Sequence, residues 1–294
     1  MLFRMDDKGI VMNLIESRDY FRSTLKNTYD TPAIDYYFKV LIQAFFKWEA
    51  TIIGLQPRKI LTKTELDQLM DAAKRLLASE PLQYITGSAH FCNLEFKVNP
   101  AVLIPRPETE ELVEWIRETQ LQTSKMTLLE VGTGSGCIAV SLGVYFPNAE
   151  IHALDIDTAA IEIAVTNADR HSAAINFHSC DFLTLSDWEF SLDRIVSNPP
   201  YISPEEKQEM QPNVMDYEPH RALFVPADNP LLFYRKILDF AQQHLKTEGE
   251  LFFEINPKFL EAMRSLILSY KNYHIYERND IFGKTRMMRL IKTV

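Results

Sequence analysis

Apolar residues recur at helical spacing along the first 88 residues. The runs are Ile10-Val11-Leu14-Ile15, Ile34-Tyr37-Phe38-Leu41-Ile42-Phe45-Phe46 and Leu66-Leu69-Met70-Ala73-Leu76-Leu77. Steps of three and four place side chains on one face of a helix, so this stretch reads as helices only. Thr31-Pro32 predicts an N-cap followed by proline at the first helical position. Thr62-Lys63-Thr64-Glu65 predicts a capping box for the third helix. The aromatic stripe Tyr36, Tyr37, Phe38, Phe45, Phe46 reads as the core of a small all-α bundle.

From about residue 89 the period changes. Residues 90–99 read as short extended segments, and Ile104-Pro105-Arg106-Pro107-Glu108-Thr109-Glu110 as a proline-rich turn leading into a helix over 108–119. Strand candidates then alternate with helix candidates. The strands are 128–131, 151–154, 176–178, 194–197 and 251–255; the helices are 136–145, 158–170 and 229–246. Such alternation implies a parallel sheet covered by helices on both faces. A helix over 258–270 precedes strands 273–277 and 286–291. The turn at Asn279-Asp280 with Gly283 makes these a terminal antiparallel hairpin. The expected organisation is a helical domain over 1–88, an extended linker or hairpin over 89–107, and an α/β domain over 108–294.

The 294 residues are 46% hydrophobic and 24% charged, which excludes dominant disorder. The net charge is −9: the first 88 residues carry +1 and the remaining 206 carry −10. That disfavours a general nucleic-acid binder, which needs a positive field to attract phosphates. Cys92, Cys137 and Cys180 are scattered and form no C-x-x-C, as expected of reduced thiols in a cytoplasm. Met1-Leu2-Phe3-Arg4, followed by Asp6 and Asp7, lacks an apolar signal-peptide core. No stretch approaches a membrane span. The seven histidines form no H-x-x-x-H or H-E-x-x-H, so no metal site is expected.

The strongest local signal is Leu128-Leu129-Glu130-Val131-Gly132-Thr133-Gly134-Ser135-Gly136-Cys137. A buried strand runs into a glycine turn that opens a helix. Glycines permit the tight bend and let a ligand approach the main chain. The spacing is G-x-G-x-G, whereas the dinucleotide fingerprint is G-x-G-x-x-G. There is no Walker A sequence, and Thr133 stands where a nucleophile elbow needs its first glycine. Asp155 closes the second strand about 20 residues on, placed to accept hydrogen bonds from ribose hydroxyls. Cys180-Asp181-Phe182 closes the third.

Ser197-Asn198-Pro199-Pro200-Tyr201 follows the fourth strand, at the carboxyl edge where open α/β sheets bind ligands. Two prolines stiffen the chain and remove N–H groups. The Asn198 side-chain oxygen and the Pro200 carbonyl can each accept an N–H, and Tyr201 offers a flat face. Together they suit a planar NH2 group.

The glycine loop resembles the first motif of Rossmann-like S-adenosylmethionine-dependent methyltransferases, and Asn-Pro-Pro-Tyr resembles the amino-methyltransferases among them. The Ile104–Glu110 turn, Glu80-Pro81-Leu82-Gln83-Tyr84-Ile85-Thr86-Gly87, Tyr217-Glu218-Pro219 and Arg221-Ala222-Leu223 are similar to the release factor glutamine methyltransferases (the PrmC/HemK family). The resemblance is strong over 80–255 and weak over the first 75 residues. It implies a mostly parallel seven-stranded sheet with a terminal antiparallel hairpin, preceded by a helical, substrate-recognising domain. It implies methyl transfer from S-adenosylmethionine, leaving S-adenosylhomocysteine, to the side-chain nitrogen of the glutamine in the Gly-Gly-Gln motif of class I peptide-chain release factors. Catalytic work then falls to Asn198, Pro199, Pro200 and Tyr201. Cofactor contacts fall to Glu130, Gly132, Thr133, Gly134, Ser135, Gly136, Asp155, Asp181, Phe182 and Asn198. Substrate contacts fall to Asn198, Pro200, Tyr201 and Arg106. Of Asp181 and Phe182, one would hydrogen-bond the adenine and the other pack on it. One departure is Glu254-Ile255-Asn256-Pro257, where relatives often carry Glu-x-Gly.

The alternative is an amino-methyltransferase acting on adenine or guanine of DNA or ribosomal RNA, with the same Asn-Pro-Pro-Tyr on a flipped base. An NAD-dependent oxidoreductase is disfavoured by the glycine spacing, and a non-catalytic binding module by two intact motifs. The expected protein is a cytoplasmic monomer with a protein substrate, no direct nucleic-acid partner and no membrane.

Overall fold

The computed structural model describes residues 4–6, 9–119 and 126–293. Residues 1–3 and Asp7, on which the signal-peptide expectation rests, lie outside them. The chain divides into two compact units, Met1–Gly87 with Pro212–Tyr217, and Ser88–Gln211 with Glu218–Val294.

The first unit holds helices α1 (Leu14–Leu25), α2 (Thr31–Phe46), α3 (Ile52–Leu55), α4 (Lys63–Leu77) and α5 (Leu82–Thr86). The apolar faces of α1, α2 and α4 meet around Phe21, Phe38, Leu41 and Leu69, all buried. Asn13 and Glu16 form a capping box at α1, and Thr62 and Glu65 the expected one at α4. Two expectations change. Ile10 and Val11 are not helical: strands β1 (Arg4–Asp6) and β2 (Gly9–Val11) pair antiparallel ahead of α1. Asp30, not Thr31, caps α2, its carboxylate accepting from the Ala33 N–H at 2.8 Å. Aspartate outcompetes the threonine because it reaches the same amides with a charge that the helix N-terminus favours. Within this unit lies also α9 (Pro212–Met215), and the Tyr217 hydroxyl donates to the Ala78 carbonyl at 2.7 Å.

The second unit opens with an antiparallel hairpin, β3 (Ser88–Phe91) and β4 (Leu94–Lys97). Then come α6 (Pro107–Glu118), β5 (Thr127–Val131), α7 (Cys137–Tyr145), β6 (Glu150–Asp155), α8 (Thr158–His171), β7 (Ile175–Ser179) and β8 (Leu192–Ser197). After α10 (His220–Leu223) follow α11 (Leu232–His244), β9 (Leu245–Glu254), α12 (Leu260–Tyr270), β10 (Tyr273–Asn279) and β11 (Thr285–Lys292). The seven main strands lie in the order β10-β11-β9-β8-β5-β6-β7, with β5 to β9 parallel and the last two antiparallel. This is the expected Rossmann-like sheet with its terminal hairpin.

Alternate residues of the central strands serve two cores. Leu129, Ile195, Leu251 and Phe253 pack with α11 and α12. Leu128, Val196 and Phe252 pack with α6 and α7. Burial on both faces explains why these strands read as continuous apolar runs.

One buried charge cluster interrupts the apolar interior. Arg194 of β8 is fully buried, with Nε 2.7 Å from the Glu250 carboxylate of β9. Arg289 of β11 donates to the other Glu250 oxygen through Nε at 2.7 Å. Arg194 also donates to the carbonyls of Ile116 and Thr119 at the end of α6, where carbonyls run out of intrahelical partners.

Candidate active site

The chain order of the sheet reverses at β5, so the loops after β5 and β8 leave adjacent strand ends in opposite directions. Ligands in open α/β sheets bind at that switch point. Register makes the juxtaposition specific. Val131 pairs with Ser197 and with Leu154, and Ser197 pairs with Phe253. The residues that follow, Gly132, Asn198, Asp155 and Glu254, therefore share one edge of the sheet.

The glycine loop is held from beneath. Gly132 and Thr133 both donate to the Leu154 carbonyl, at 2.9 and 3.0 Å, and Gly136 to the Thr133 carbonyl at 2.8 Å. Gly132, Gly134 and Gly136 all have positive φ, which L side chains rarely adopt. A Cβ on Gly132 or Gly134 would meet nothing within 4 Å, so their backbone forms a bare wall of the pocket. A Cβ on Gly136 would lie 3.0 Å from that of Ala164, so Gly136 serves helix packing. Asn167 of α8, fully buried, donates to the Ser135 carbonyl at 2.9 Å and exchanges bonds with the Lys97 backbone, fastening the loop to the β3–β4 hairpin.

Glu130 stands under this loop with its carboxylate turned inward. The Thr133 hydroxyl and the Ala139 N–H both donate to Oε2, at 2.6 and 3.0 Å. Burial overrides these bonds and pushes the carboxyl up to about 8. Convergence of both donors on Oε2 leaves Oε1 able to carry the proton. Because the folded value lies above the 4.5 of a free glutamate side chain, the stabilising protonation is complete below that value and is lost as pH climbs through about 8. Glu130→Gln keeps an acceptor at Oε2's place. It should flatten the fall in denaturant midpoint between about pH 5 and 8; an unchanged pH slope would show that Glu130 stays ionised.

Asp155 accepts the Gly134 N–H on Oδ2 at 2.9 Å and the Asp157 N–H on Oδ1 at 3.0 Å. Its carboxylate is raised, chiefly by burial, and lines the pocket. Asp181 and Phe182 line the same pocket. The Asp181 carboxylate accepts its own loop's Leu183 N–H at 2.9 Å, and Phe182 is buried edge-on to Phe240.

At the other end, Asn198, Pro199 and Pro200 line the pocket with Arg106 and Thr109. The Asn198 Nδ2 donates to the Thr109 hydroxyl at 3.0 Å, and that hydroxyl donates to Glu254 Oε2 at 2.6 Å. The Tyr201 hydroxyl takes the other Glu254 oxygen at 2.8 Å. Tyr201 is half-buried, packs on the central core and does not line the pocket. Arg106 pairs with Glu218 at 2.6 Å, and Glu218 also accepts the Ile104 N–H at 3.2 Å. The proline-rich turn and the Tyr-Glu-Pro segment thus clamp each other.

Thr109, Glu254, Asn256 and Asn167 are absent from the expected set. Asn256 explains the departure from Glu-x-Gly. Its Oδ1 accepts the Lys258 N–H at 3.0 Å, capping a short 3-10 turn at Pro257–Phe259, and its Nδ2 donates to the Tyr201 carbonyl at 3.2 Å and to Glu206. Apart from the local Asn256–Lys258 bond, their side-chain bonds span 32 to 145 positions, which the local sequence does not reveal. Thr109 carried a signal by lying in the proline-rich turn, and Glu254 and Asn256 by the departure from Glu-x-Gly; Asn167 carried none.

The pocket joins a bare glycine backbone, a buried carboxylate at a strand end, an apolar wall at Phe182 and a fixed amide at Asn198. That set fits a nucleoside with a polar tail beside a planar NH2 group. Among the described residues, no group of three or more His, Cys, Asp or Glu could hold a metal, and no helix is long and apolar enough to cross a membrane.

Comparisons with known proteins converge on one family. The family model "PrmC N-terminal domain" matches residues 16–87, and "Methyltransferase small domain" matches 109–216. A release factor glutamine methyltransferase of Flavobacterium psychrophilum is 39% identical, over 93% of this chain and 97% of the relative. One of Bacteroides thetaiotaomicron is 38% identical, over 92% and 96%. Among solved structures, a methyltransferase from Pyrococcus furiosus superposes with a TM-score of 0.51 at 17% identity, over 79% of this chain and all of that one. It shares the fold.

Proposed function

The chain belongs to the release factor glutamine methyltransferase family, and from that premise we propose that the pocket at the ends of β5 and β8 methylates the side-chain nitrogen of the Gly-Gly-Gln glutamine of a class I release factor. The observation that carries the reading is Asn198. Its Nδ2 is held by Thr109, so its Oδ1 is left as the acceptor at the pocket, beside the Pro200 carbonyl.

S-adenosylmethionine supplies, when bound, a methyl group activated on a sulfonium, and leaves as S-adenosylhomocysteine. Gly132 and Gly134 give the cofactor a backbone wall with no side chain in the way. Asp155 offers its remaining lone pairs to a ribose diol, and Phe182 an apolar wall to the base. Arg106, fixed by Glu218, borders the entrance. Glu130 and Gly136 shape the loop from below.

An amide nitrogen is a weak nucleophile, because its lone pair is delocalised into the carbonyl. Glu254 is no base for it, since hydroxyls occupy both its oxygens. Asn198 and the Pro200 carbonyl instead hold the two amide hydrogens and aim the nitrogen. Such orientation supplies several kcal/mol. As positive charge grows on nitrogen, both acceptors bind its hydrogens more strongly, which favours the transition state over the ground state. The nitrogen then sheds one proton to water. Tyr201, behind the pocket, holds Glu254 in place through its hydroxyl.

The acidic charge suits a protein substrate better than a phosphate backbone, and a cytoplasmic location follows from that substrate. The test is peptide mass spectrometry after incubation with S-adenosylmethionine and unmethylated release factor. A single methyl on the Gly-Gly-Gln glutamine is expected. An unmodified glutamine with the cofactor bound would overturn the reading and move the search to ribosomal RNA and DNA.

A further inference from the structure

We propose that Thr109 and Glu254 are positioning residues that set which end of the Asn198 amide faces the reacting nitrogen; this rests on the reading of Asn198 as the acceptor for the substrate's N–H.

An asparagine amide is nearly symmetric in shape but opposite in hydrogen bonding at its two ends. Turned one way, Asn198 offers the pocket a carbonyl oxygen and can hold the glutamine NH2. Turned the other way, it offers an NH2 that opposes the substrate's own donors. Shape alone does not choose, so the choice falls to a partner on the far side.

That partner is Thr109, in the first turn of α6. A hydroxyl has one proton to give. Here it goes to Glu254 Oε2 at 2.6 Å, a carboxylate that, while ionised, can only accept. The face of the Thr109 oxygen turned to Asn198 then carries only lone pairs, and accepts from Nδ2 at 3.0 Å. The Asn198 oxygen is thereby turned to the pocket. Glu254 is itself fixed. Tyr201 donates to its second oxygen at 2.8 Å, and Tyr234 donates to its backbone carbonyl at 2.8 Å. Burial raises its carboxyl above the ordinary value, while the Thr109 and Tyr201 hydroxyls and the charge of Arg286 on β11 favour the ionised form. The register that pairs Ser197 with Phe253 places Glu254 beside Asn198.

The test compares Thr109→Val, which keeps the branched shape without the hydroxyl, with Thr109→Ser, which restores it. Each is assayed for methyl transfer to release factor, for S-adenosylmethionine affinity and for thermal midpoint. Thr109→Val should lower kcat by about 10- to 100-fold, with cofactor affinity and the KM for release factor little changed. Thr109→Ser should return kcat close to that of the unsubstituted protein. Should the valine not fold, Thr109→Ala removes the same hydroxyl without adding bulk. The inference fails if Thr109→Val turns over normally, if the serine falls as far as the valine, or if the loss lies in cofactor affinity. An unmethylated glutamine with the unsubstituted protein would instead mark failure of the functional reading, and this inference would go with it.

Discussion

Asn198→Ala is expected to reduce methyl transfer to release factor by about 100- to 1,000-fold, while S-adenosylmethionine still binds. The substitution removes one of two acceptors aimed at the amide hydrogens. It also frees Thr109 on that side, but leaves the Thr109–Glu254 bond in place. The proposed supports of the cofactor, the glycine loop and Asp155, are anchored to each other and to Leu154 rather than to Asn198. The loss should therefore appear in the transfer step. Single-turnover transfer of labelled methyl, set beside calorimetric cofactor titration, separates the two. Near-normal turnover with unchanged binding would remove Asn198 from the mechanism.

Glu250→Ala should be the most damaging change away from the pocket, at about 3–5 kcal/mol of unfolding free energy. Arg194 is fully buried, and its guanidinium would lose its counter-charge with no route to water. Replacing the whole pair is a different experiment. Arg194→Met with Glu250→Leu removes both charges together, and should cost less than the single change despite losing the bonds to the end of α6. Guanidinium midpoints for the two variants decide it. A double variant less stable than Glu250→Ala would show that the contacts from Arg194 to Ile116 and Thr119 outweigh the charge balance.

The parts of the site that the chain announces are those made by local backbone. The glycine loop is strand, turn and helix within a dozen residues, and its positive φ values need glycine whatever surrounds them. Asn198 to Tyr201 and Asp155 sit at strand ends whose apolar runs mark them. What the chain conceals are bonds between distant segments. Thr109 meets Glu254 across 145 positions, and nothing near either residue signals the other. The same holds for Arg194 with Glu250, which local pattern makes an odd charge in a buried strand. Near the start, Ile10 and Val11 fit a helical period but pair as a strand, because a three-residue run carries too little pattern to distinguish the two. The span from Ile202 to Leu223 breaks into a 3-10 turn and two four-residue helices, too short to impose any period.

The grouping of Pro212–Tyr217 with the first 87 residues has a consequence for synthesis. The helices of this unit leave the ribosome ahead of the α/β unit, yet the unit's last piece, carrying the hydroxyl that bonds to the Ala78 carbonyl, ends 130 residues after Gly87. At roughly 5–20 residues per second, that is a delay on the order of ten seconds. During it, the nascent helices must persist without α9, while strands β5 to β8 are already emerging. Completion of the amino-terminal unit is thus tied to translation of the segment just beyond Asn-Pro-Pro-Tyr, and a chain arrested before Tyr217 holds neither unit whole.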